Sequence, residues 1–331
     1  MLVLQLPSIS LLLIIPQARA IITQYTASSL IDSNNSKFGP FIEGTGVDRD
    51  GIIYAVNYGN AQSLATLGQV TSQKLFYVDK TANGTAFNAL RFLKGDKGMA
   101  YAADYINHRI VKLIADGQTV TATNHCSSSG ILQPNDLALS MSGYIFLSGM
   151  KWQANGEVGD GDLWVCSPKG IPRRLDLLGR TNGIELSPDD KYLYLSEANN
   201  RDGTPVSNKI WKYQVDPNTG DVSNKTIFFD FSNLQTQSID IDGMRTDISG
   251  NLFVTRNGGQ QVVKLSSNGQ LLTIIKTSFT APANLEFGGA EGKTLYIVGR
   301  CGINTPGGQG AGCVDTWEND VPGRAWSILQ K

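Results

Sequence analysis

Four side chains with oxygen atoms recur at equivalent places along this sequence, and together they could bind a cation. They are Glu43, Asn135, Asn182 and Asp242, and each precedes an aromatic residue of a strand-like run by 11 or 12 residues. A repeat protein can bring equivalent positions of its repeats to one axis, so we expect the four to meet. Carboxylate and carboxamide oxygens are ligands of hard divalent cations, which favours Ca2+, with Mg2+, Mn2+ or Zn2+ as alternatives.

Each of the four residues also has an ordinary structural interpretation. Asn182 and Asp242 are each followed by glycine, as in common turns, and Asn135 follows a proline and could cap a turn. Glu43 could be an exposed loop acid. The shared spacing favours one joint site over four unrelated turns.

The elements that must position these residues form a repeat. Repeats that each hold several short strands predict an all-β fold, a six-bladed β-propeller spanning residues 21–331 as one domain. To close the ring, we expect residues 21–27 to pair with a strand at 324–330, near Trp326. Six aromatic residues mark the repeats, at intervals of 47, 45, 48, 59 and 43 residues: Tyr54, Tyr101, Phe146, Tyr194, Phe253 and Tyr296.

The amino-acid composition indicates which kinds of molecule this protein binds. The chain has 331 residues, a net charge of −1 and 17% charged residues, so it lacks the positive charge that attracts nucleic acids or anionic membranes. Short apolar runs separated by Asn, Asp, Gly and Ser are typical of an all-β protein. We therefore expect a monomer that binds a small molecule, and neither nucleic acid nor a membrane.

The first 20 residues have the pattern of a signal peptide. An apolar run at 11–15 precedes an A-x-A cleavage pattern at 18–20. The alternative, a membrane anchor, needs a longer run than this one, which is flanked by two prolines. We predict that residues 1–20 are removed and that the protein is secreted.

Cysteines and glycosylation sequons agree with secretion. Eleven residues, five of them glycine, separate Cys301 from Cys313, so this pair can close a short flexible loop. The remaining pair, Cys126 and Cys166, then forms a second disulfide by elimination. The sequons that predict a glycoprotein are Asn34, Asn83 and Asn224.

The four segments around the recurring oxygens resemble a known family. They read IEGTGVD, PNDLALS, TNGIELSPDDKYLY and IDGMRTDISGNLFV, and they are similar to segments of the gluconolactonase, regucalcin and luciferin-regenerating-enzyme family. The resemblance implies a six-bladed propeller with one divalent metal, usually calcium, in the central channel. It implies that Glu43, Asn182 and Asp242 bind the metal, that Asn135 contacts metal or substrate, and that Asp242 is the general base.

The chain departs from the family pattern beside Asn135. Gln133 stands where the family often has an arginine that helps to hold a sugar acid, and Leu137 replaces a glycine. With Asn135 and Gln133, we expect Trp152 to contact substrate, and Glu157 and Asp160 are looser candidates from the same region.

The sequence therefore predicts a secreted, calcium-dependent hydrolase of lactones or related esters. The cation would act as a Lewis acid and Asp242 would deprotonate water. The two histidines, His108 and His125, are not near a G-x-S-x-G motif, which disfavours a Ser-His-Asp triad. The alternative is a non-catalytic secreted propeller that keeps calcium for stability and binds a glycan or a protein. A strictosidine-synthase-like propeller would need a catalytic glutamate without metal, which the four recurring residues disfavour.

Overall fold

A computed structural model describes residues 22–57, 65–78, 84–94, 99–234, 239–302 and 310–331. The segment 1–20 and the sequon at Asn83 lie outside these residues. Within them, the chain forms antiparallel meanders of short strands around a central channel. None of the described helices is both long enough and apolar enough to cross a membrane.

Six inner strands line the channel, and each leads outward to a second, third and usually a fourth strand. The inner strands are β3 (Ile42–Val47), β7 (Phe87–Phe92), β11 (Gln133–Leu139), β15 (Arg180–Leu186), β19 (Asp240–Thr246) and β23 (Ala281–Gly288). The second strands are β4 (Ile53–Asn57), β8 (Met99–Asp104), β12 (Ile145–Met150), β16 (Tyr192–Arg201), β20 (Leu252–Asn257) and β24 (Thr294–Cys301).

The outer strands complete the meanders. The third strands are β5 (Ala65–Gln69), β9 (Arg109–Asp116), β13 (Gly161–Cys166), β17 (Thr204–Val215), β21 (Gln261–Leu265) and β25 (Ala311–Glu318). The fourth strands are β6 (Leu75–Val78), β10 (Thr119–Ser127), β14 (Pro172–Leu178), β18 (Val222–Asp230) and β22 (Leu271–Lys276). The remaining elements are β1 (Thr23–Thr26), β2 (Ser28–Ile31), a 3-10 turn (Phe231–Leu234) and the helix α1 (Arg324–Leu329).

Hydrogen bonds join these strands into five sheets. Four of them each contain one meander, and β1 and β2 extend two of these. The fifth has eight strands, because a short parallel pairing of β6 with β10 joins the meanders β3–β6 and β7–β10. Each inner strand contacts the next around the channel, and β23 contacts β3. The expectation of an all-β propeller is confirmed, although the sheets number five.

The aromatic residues that revealed the repeat lie at equivalent positions of the six second strands. Each pairs directly with an inner-strand residue, as Tyr54 does with Gly46 and Tyr194 with Glu185. The other pairs are Tyr101 with Arg91, Phe146 with Ala138, Phe253 with Arg245 and Tyr296 with Glu286. The sequence spacing therefore reports a true structural register.

The turns between inner and second strands use the Asp and Gly residues of the sequence. The Asp48 carboxylate accepts hydrogen bonds from the backbone N–H groups of Asp50 and Ile52, both at 2.9 Å. Asp247 makes the equivalent pair of bonds in a later repeat. Gly51 has a φ of 79°, a conformation that favours glycine. These turns fix the register in which the inner strands meet their partners.

The expected closure of the ring is wrong. Residues 324–329 form α1 and not a strand, so the described part of the segment, residues 22–27, has no strand partner near Trp326. Instead, β1 pairs in parallel with β22, and β2 pairs antiparallel with β25 as the fourth strand of the last sheet. The N-terminal segment therefore joins two neighbouring sheets.

Arg324 explains why this segment is helical. Its buried guanidinium donates to the carbonyl oxygens of Ser187 and Leu139, each at 3.0 Å, and pairs with Asp190. The helical turn also places Leu329 in an apolar cluster. The buried ion pair and these backbone acceptors outweigh the strand propensity of a Trp- and Ile-containing segment.

Both predicted disulfides are present. Cys126–Cys166 connects β10 with β13, at a Cα separation of 6.2 Å. Cys301–Cys313 connects the neighbouring strands β24 and β25, at 5.8 Å. The first disulfide links two different meanders and the second fixes the last one.

Candidate functional site

A β-bulge at the same place in all six inner strands shapes the site. In each strand pair, the inner strand has one residue more than its partner, as between Glu43 and Gly46 or between Thr181 and Ile184. The other four bulges lie at 87–89, 134–137, 241–244 and 282–284. A bulge redirects side chains. Around each bulge, the inner strand contributes side chains to two layers along the channel, and the two positions lie three residues apart in the strand.

The first layer lines a pocket of about 290 Å3 at one end of the channel. Each inner strand contributes one residue to this layer. That residue lies three positions before the inner-strand residue that pairs with the marker aromatic, as Glu43 lies three positions before Gly46. These residues are Glu43, Asn88, Asn135, Asn182, Asp242 and Ala283. The structure therefore brings together all four residues singled out by spacing, and adds Asn88.

The carboxyl groups of Glu43 and Asp242 interact directly in this pocket. Burial raises the pKa of Glu43 to about 7, against the lowering effect of hydrogen bonds from Gly44 and Asn284. Burial also raises the pKa of Asp242 well above its usual range, and the charge of Glu43 raises it further. Without a cation, both groups therefore bind protons more readily than ordinary carboxyl groups do.

Three buried oxygen atoms of the first layer have no hydrogen-bond partner. They are Oδ1 of Asn88, Oδ1 of Asn182 and Oδ1 of Asp242. Buried polar atoms are normally satisfied, so three such atoms in one pocket indicate a missing partner. Oxygen donors of this kind fit a hard cation such as Ca2+.

Few of the side chains that could bind a cation in this pocket are charged. Among the residues that the structure describes, no three His, Cys, Asp or Glu side chains are grouped as metal ligands. A cation in this pocket would therefore rest on two carboxylates, Glu43 and Asp242, with carboxamide oxygens beside them. This set suits calcium or magnesium better than zinc.

The second layer is a buried cluster of charges deeper in the channel. Arg245 lies at its centre, 2.9 Å from Glu286 and 3.3 Å from Asp136. Asp136 also pairs with Arg91 at 2.6 Å. The cluster closes the channel beneath the pocket, and beyond it a second cavity of about 320 Å3 borders α1.

Asn284 connects the two layers. Its Nδ2 donates to Glu43 Oε2 at 3.1 Å, and its Oδ1 accepts from Arg245 Nη2 at 3.0 Å. Asn257 has a similar supporting role at Asp242, where its Nδ2 donates to Oδ2 at 2.8 Å. Both carboxyl groups are thus held in place by amides.

Aromatic and cationic side chains form the wall of the pocket. Trp152 is 54% exposed, and the centre of its ring lies 5.1 Å from Cζ of Arg180. The Arg180 guanidinium is also paired with the Asp240 carboxylate at 2.5 Å. Phe41 and Arg300 line the same pocket. The expected position of Trp152 near the substrate site agrees with this geometry, while its role stays a prediction.

The other expected substrate residues lie elsewhere. Gln133 and Glu157 are exposed, and neither lines the pocket. Asp160 is buried, and its Oδ2 accepts a hydrogen bond from the Glu157 backbone at 3.0 Å, which is a local turn contact. Sequence reasoning also missed six residues at or beside the site, namely Asn88, Arg180, Asp240, Asn257, Asn284 and Arg300. Asn88 precedes the marker Tyr101 by 13 residues, and not by 11 or 12, so the shared spacing does not single it out.

Comparison with known proteins decides the family. The model of the SMP-30/Gluconolactonase/LRE-like region matches residues 60–299. The chain belongs to this SMP-30/gluconolactonase/LRE-like family. Three of the four recurring residues of this family member lie inside the matched region, and Glu43 lies before it.

Named relatives of this family member are about a quarter identical to it over the regions that align. Gluconolactonase of Zymomonas mobilis is 28% identical over 220 residues, which cover 61% of this chain and 58% of that protein. Regucalcin of Bos taurus is 25% identical over 150 residues, 44% of this chain and 47% of that protein. The chain thus spans about half the length of these curated relatives.

Solved structures of the family support the fold. A calcium-binding regucalcin from Agrobacterium tumefaciens aligns with a TM-score of 0.69 and 16% identity, covering 92% of this chain and 98% of that one. At this identity, the likeness is evidence for the propeller fold alone.

Proposed function

We propose that this protein is a hydrolase that opens a lactone, or a related ester, of a small molecule in the first-layer pocket. The observation that carries the proposal is Asp242. Its Oδ2 is held by Asn257, and its Oδ1 is buried without a hydrogen-bond partner in the first layer, beside three amides and the Glu43 carboxyl group. Family membership and the name of the Zymomonas relative support the same reaction class.

A divalent cation, most simply Ca2+, fits the unsatisfied oxygens of the pocket. Glu43, Asn182 and Asp242 would hold it, with Asn135 and Asn88 beside them. When bound, it supplies positive charge that favours the ionised carboxylates and polarises a substrate carbonyl.

The chemistry of the chain's own residues follows from this arrangement. Asp242 Oδ1 accepts a proton from water as the water oxygen adds to the carbonyl carbon. The ring C–O bond then breaks, and the proton passes from Asp242 to the leaving oxygen, so that the product is a hydroxy acid. Asn257 keeps Asp242 oriented through this cycle, and Trp152 forms the wall beside the substrate.

Two matched substitutions test these roles. Glu43→Gln removes one ligand charge, so added calcium should restore part of its activity. Asp242→Asn also removes the base, so its hydrolysis of lactones and aryl esters should stay low at saturating calcium. If calcium fully restores Asp242→Asn, Asp242 is only a ligand. If neither substitution changes calcium affinity by calorimetry, the central cation site is wrong.

The competing function is a non-catalytic propeller that binds a glycan or a protein. A panel of lactones and aryl esters, with and without chelator, separates the two. Calcium binding without turnover of any member would favour the binder.

We also propose a secreted, monomeric protein with six blades. The apolar segment 1–20, two disulfides and exposed sequons at Asn34 and Asn224 support secretion. The ring of six inner strands supports a count in which the eight-stranded sheet contributes two blades. Mass spectrometry of the secreted product tests the cleavage site, light scattering tests the monomer, and a crystal structure tests the blade count.

A further inference from the structure

Arg300 gives the pocket a positive charge that no described side chain neutralises. Two cationic side chains line the pocket, Arg180 and Arg300. Arg180 is buried and paired with Asp240 at 2.5 Å. No carboxylate among the described residues lies within ion-pair distance of Arg300. The neighbouring segment 303–309, INTPGGQ, has neither Asp nor Glu in its sequence.

The backbone around Arg300 is fixed by its neighbours. Arg300 lies on β24, where it pairs with Ala281 of β23 on one side and Gly312 of β25 on the other. The adjacent Cys301 is bonded to Cys313, which ties the same two strands together. Arg300 is half-buried and lines the pocket. The planar guanidinium of an arginine can bind an acidic group with two parallel hydrogen bonds.

The other charged groups of the pocket have partners of their own. Arg180 is paired with Asp240. Asn284 donates to the Glu43 carboxyl group at 3.1 Å, and Asn257 donates to the Asp242 carboxyl group at 2.8 Å. Among the charged side chains that line the described pocket, Arg300 is therefore the one placed to bind an anionic group of a ligand.

We propose that the substrate carries a negatively charged acid group and that Arg300 binds that group. This inference rests on the lactone or ester hydrolysis proposed above and specifies its substrate class. The reacting carbonyl lies at the Asp242 side of the pocket, and the acid group lies at the β24 wall. Arg300 is a specificity residue in this arrangement, and it takes no part in proton transfer.

A matched pair of probes tests the proposal. D-Glucaro-γ-lactone carries a carboxylate where D-glucono-γ-lactone carries a hydroxymethyl group, and the rings are otherwise the same. We expect kcat/KM to be about tenfold or more higher for the glucarolactone, since a charge-assisted hydrogen bond has about that effect. Arg300→Gln should remove this ratio and Arg300→Lys should retain part of it. Arg49→Gln, which removes the same charge from an exposed position, should leave the ratio unchanged.

Binding separates this proposal from the proposed hydrolysis. Calorimetry on Asp242→Asn measures affinity for both lactones without dependence on turnover, and on Asp242→Asn with Arg300→Gln it isolates the arginine. Tighter binding of the glucarolactone that disappears in the double variant supports the acid-binding role, even if no lactone is hydrolysed. Equal affinities for the two lactones, or a preference that survives in the double variant, would overturn it while leaving the hydrolysis proposal intact.

Discussion

Replacing Glu43 by Gln should make the calcium-free protein more stable at alkaline pH. Burial raises the pKa of Glu43 from its usual 4.5 to about 7. At 1.36 kcal/mol per pKa unit, ionising this group in the folded state costs roughly 3 kcal/mol. Solvent at the partly exposed pocket wall screens the charge, so we expect a gain of roughly 1 to 3 kcal/mol for the variant.

The sign follows from proton binding. Since the folded state has the higher pKa, this carboxyl group contributes its full stability below pH 4.5, and the contribution is lost as pH rises through about 7. Gln does not titrate, and its side-chain oxygen can still accept the hydrogen bonds from Gly44 and Asn284. The difference between variant and wild type should therefore be small at pH 4.5 and largest at pH 8.

Calcium should act in the opposite direction. A ligand that binds only the folded state stabilises it by RT ln(1 + [L]/Kd), so tighter binding gives more stabilisation at a given ligand concentration. Wild type keeps both carboxylates, so its melting temperature should rise more with calcium than that of Glu43→Gln. The assay is thermal and urea unfolding from pH 4.5 to 8, with chelator or calcium, and exposed Glu318→Gln is the control. A variant that is no more stable than wild type at pH 8 with chelator would refute the reasoning.

Three further predictions concern the scaffold. Cys301→Ser with Cys313→Ser should lower the free energy of unfolding by about 3 kcal/mol, because the disulfide closes a short loop. Urea unfolding measures this difference, and an unchanged free energy of unfolding would contradict a stabilising role of the disulfide. Arg245→Met should cost about 3 to 5 kcal/mol, since it leaves Glu286 and Asp136 without their shared partner, whereas exposed Arg49→Met should change stability by about 0.5 kcal/mol or less. Removing residues up to 26 takes away only exposed β1, while removing residues up to 31 also takes away β2 and buried Ile31. The longer deletion should lower the melting temperature much more, and equal losses would contradict the different roles of the two strands.

The residues of the first layer could be predicted from the sequence only in repeats where the turn between the inner and second strands has nearly the same length. Glu43, Asn135 and Asp242 precede their markers by 11 residues and Asn182 by 12, so they were found. Asn88 occupies the same structural position but precedes Tyr101 by 13 residues. The strand register is the same in each repeat. The number of residues between a first-layer residue and its marker also depends on the length of the turn between the two strands, and this length varies.

The supporting residues could not be predicted because they come from other strands. Asn257 reaches Asp242 from β20, and Arg300 enters the pocket from β24. Such contacts depend on the closed ring, which no local pattern encodes. The same holds for α1, where contacts of Arg324 with distant repeats override a local preference for strand.

The two N-terminal strands impose an order on folding. Thr23 contacts Thr273, 250 residues later in the chain, and Ser28 contacts Thr316, 288 residues later. At a synthesis rate of about 5 to 20 residues per second, their partners emerge from the ribosome roughly 15 to 60 s after them. Residues 23–31 are synthesised before every other described strand, but β1 can pair only after β22 has been made, and β2 only after β25. Until then β22 and β25 keep open edges, so these two early strands join the outer edges of their sheets late.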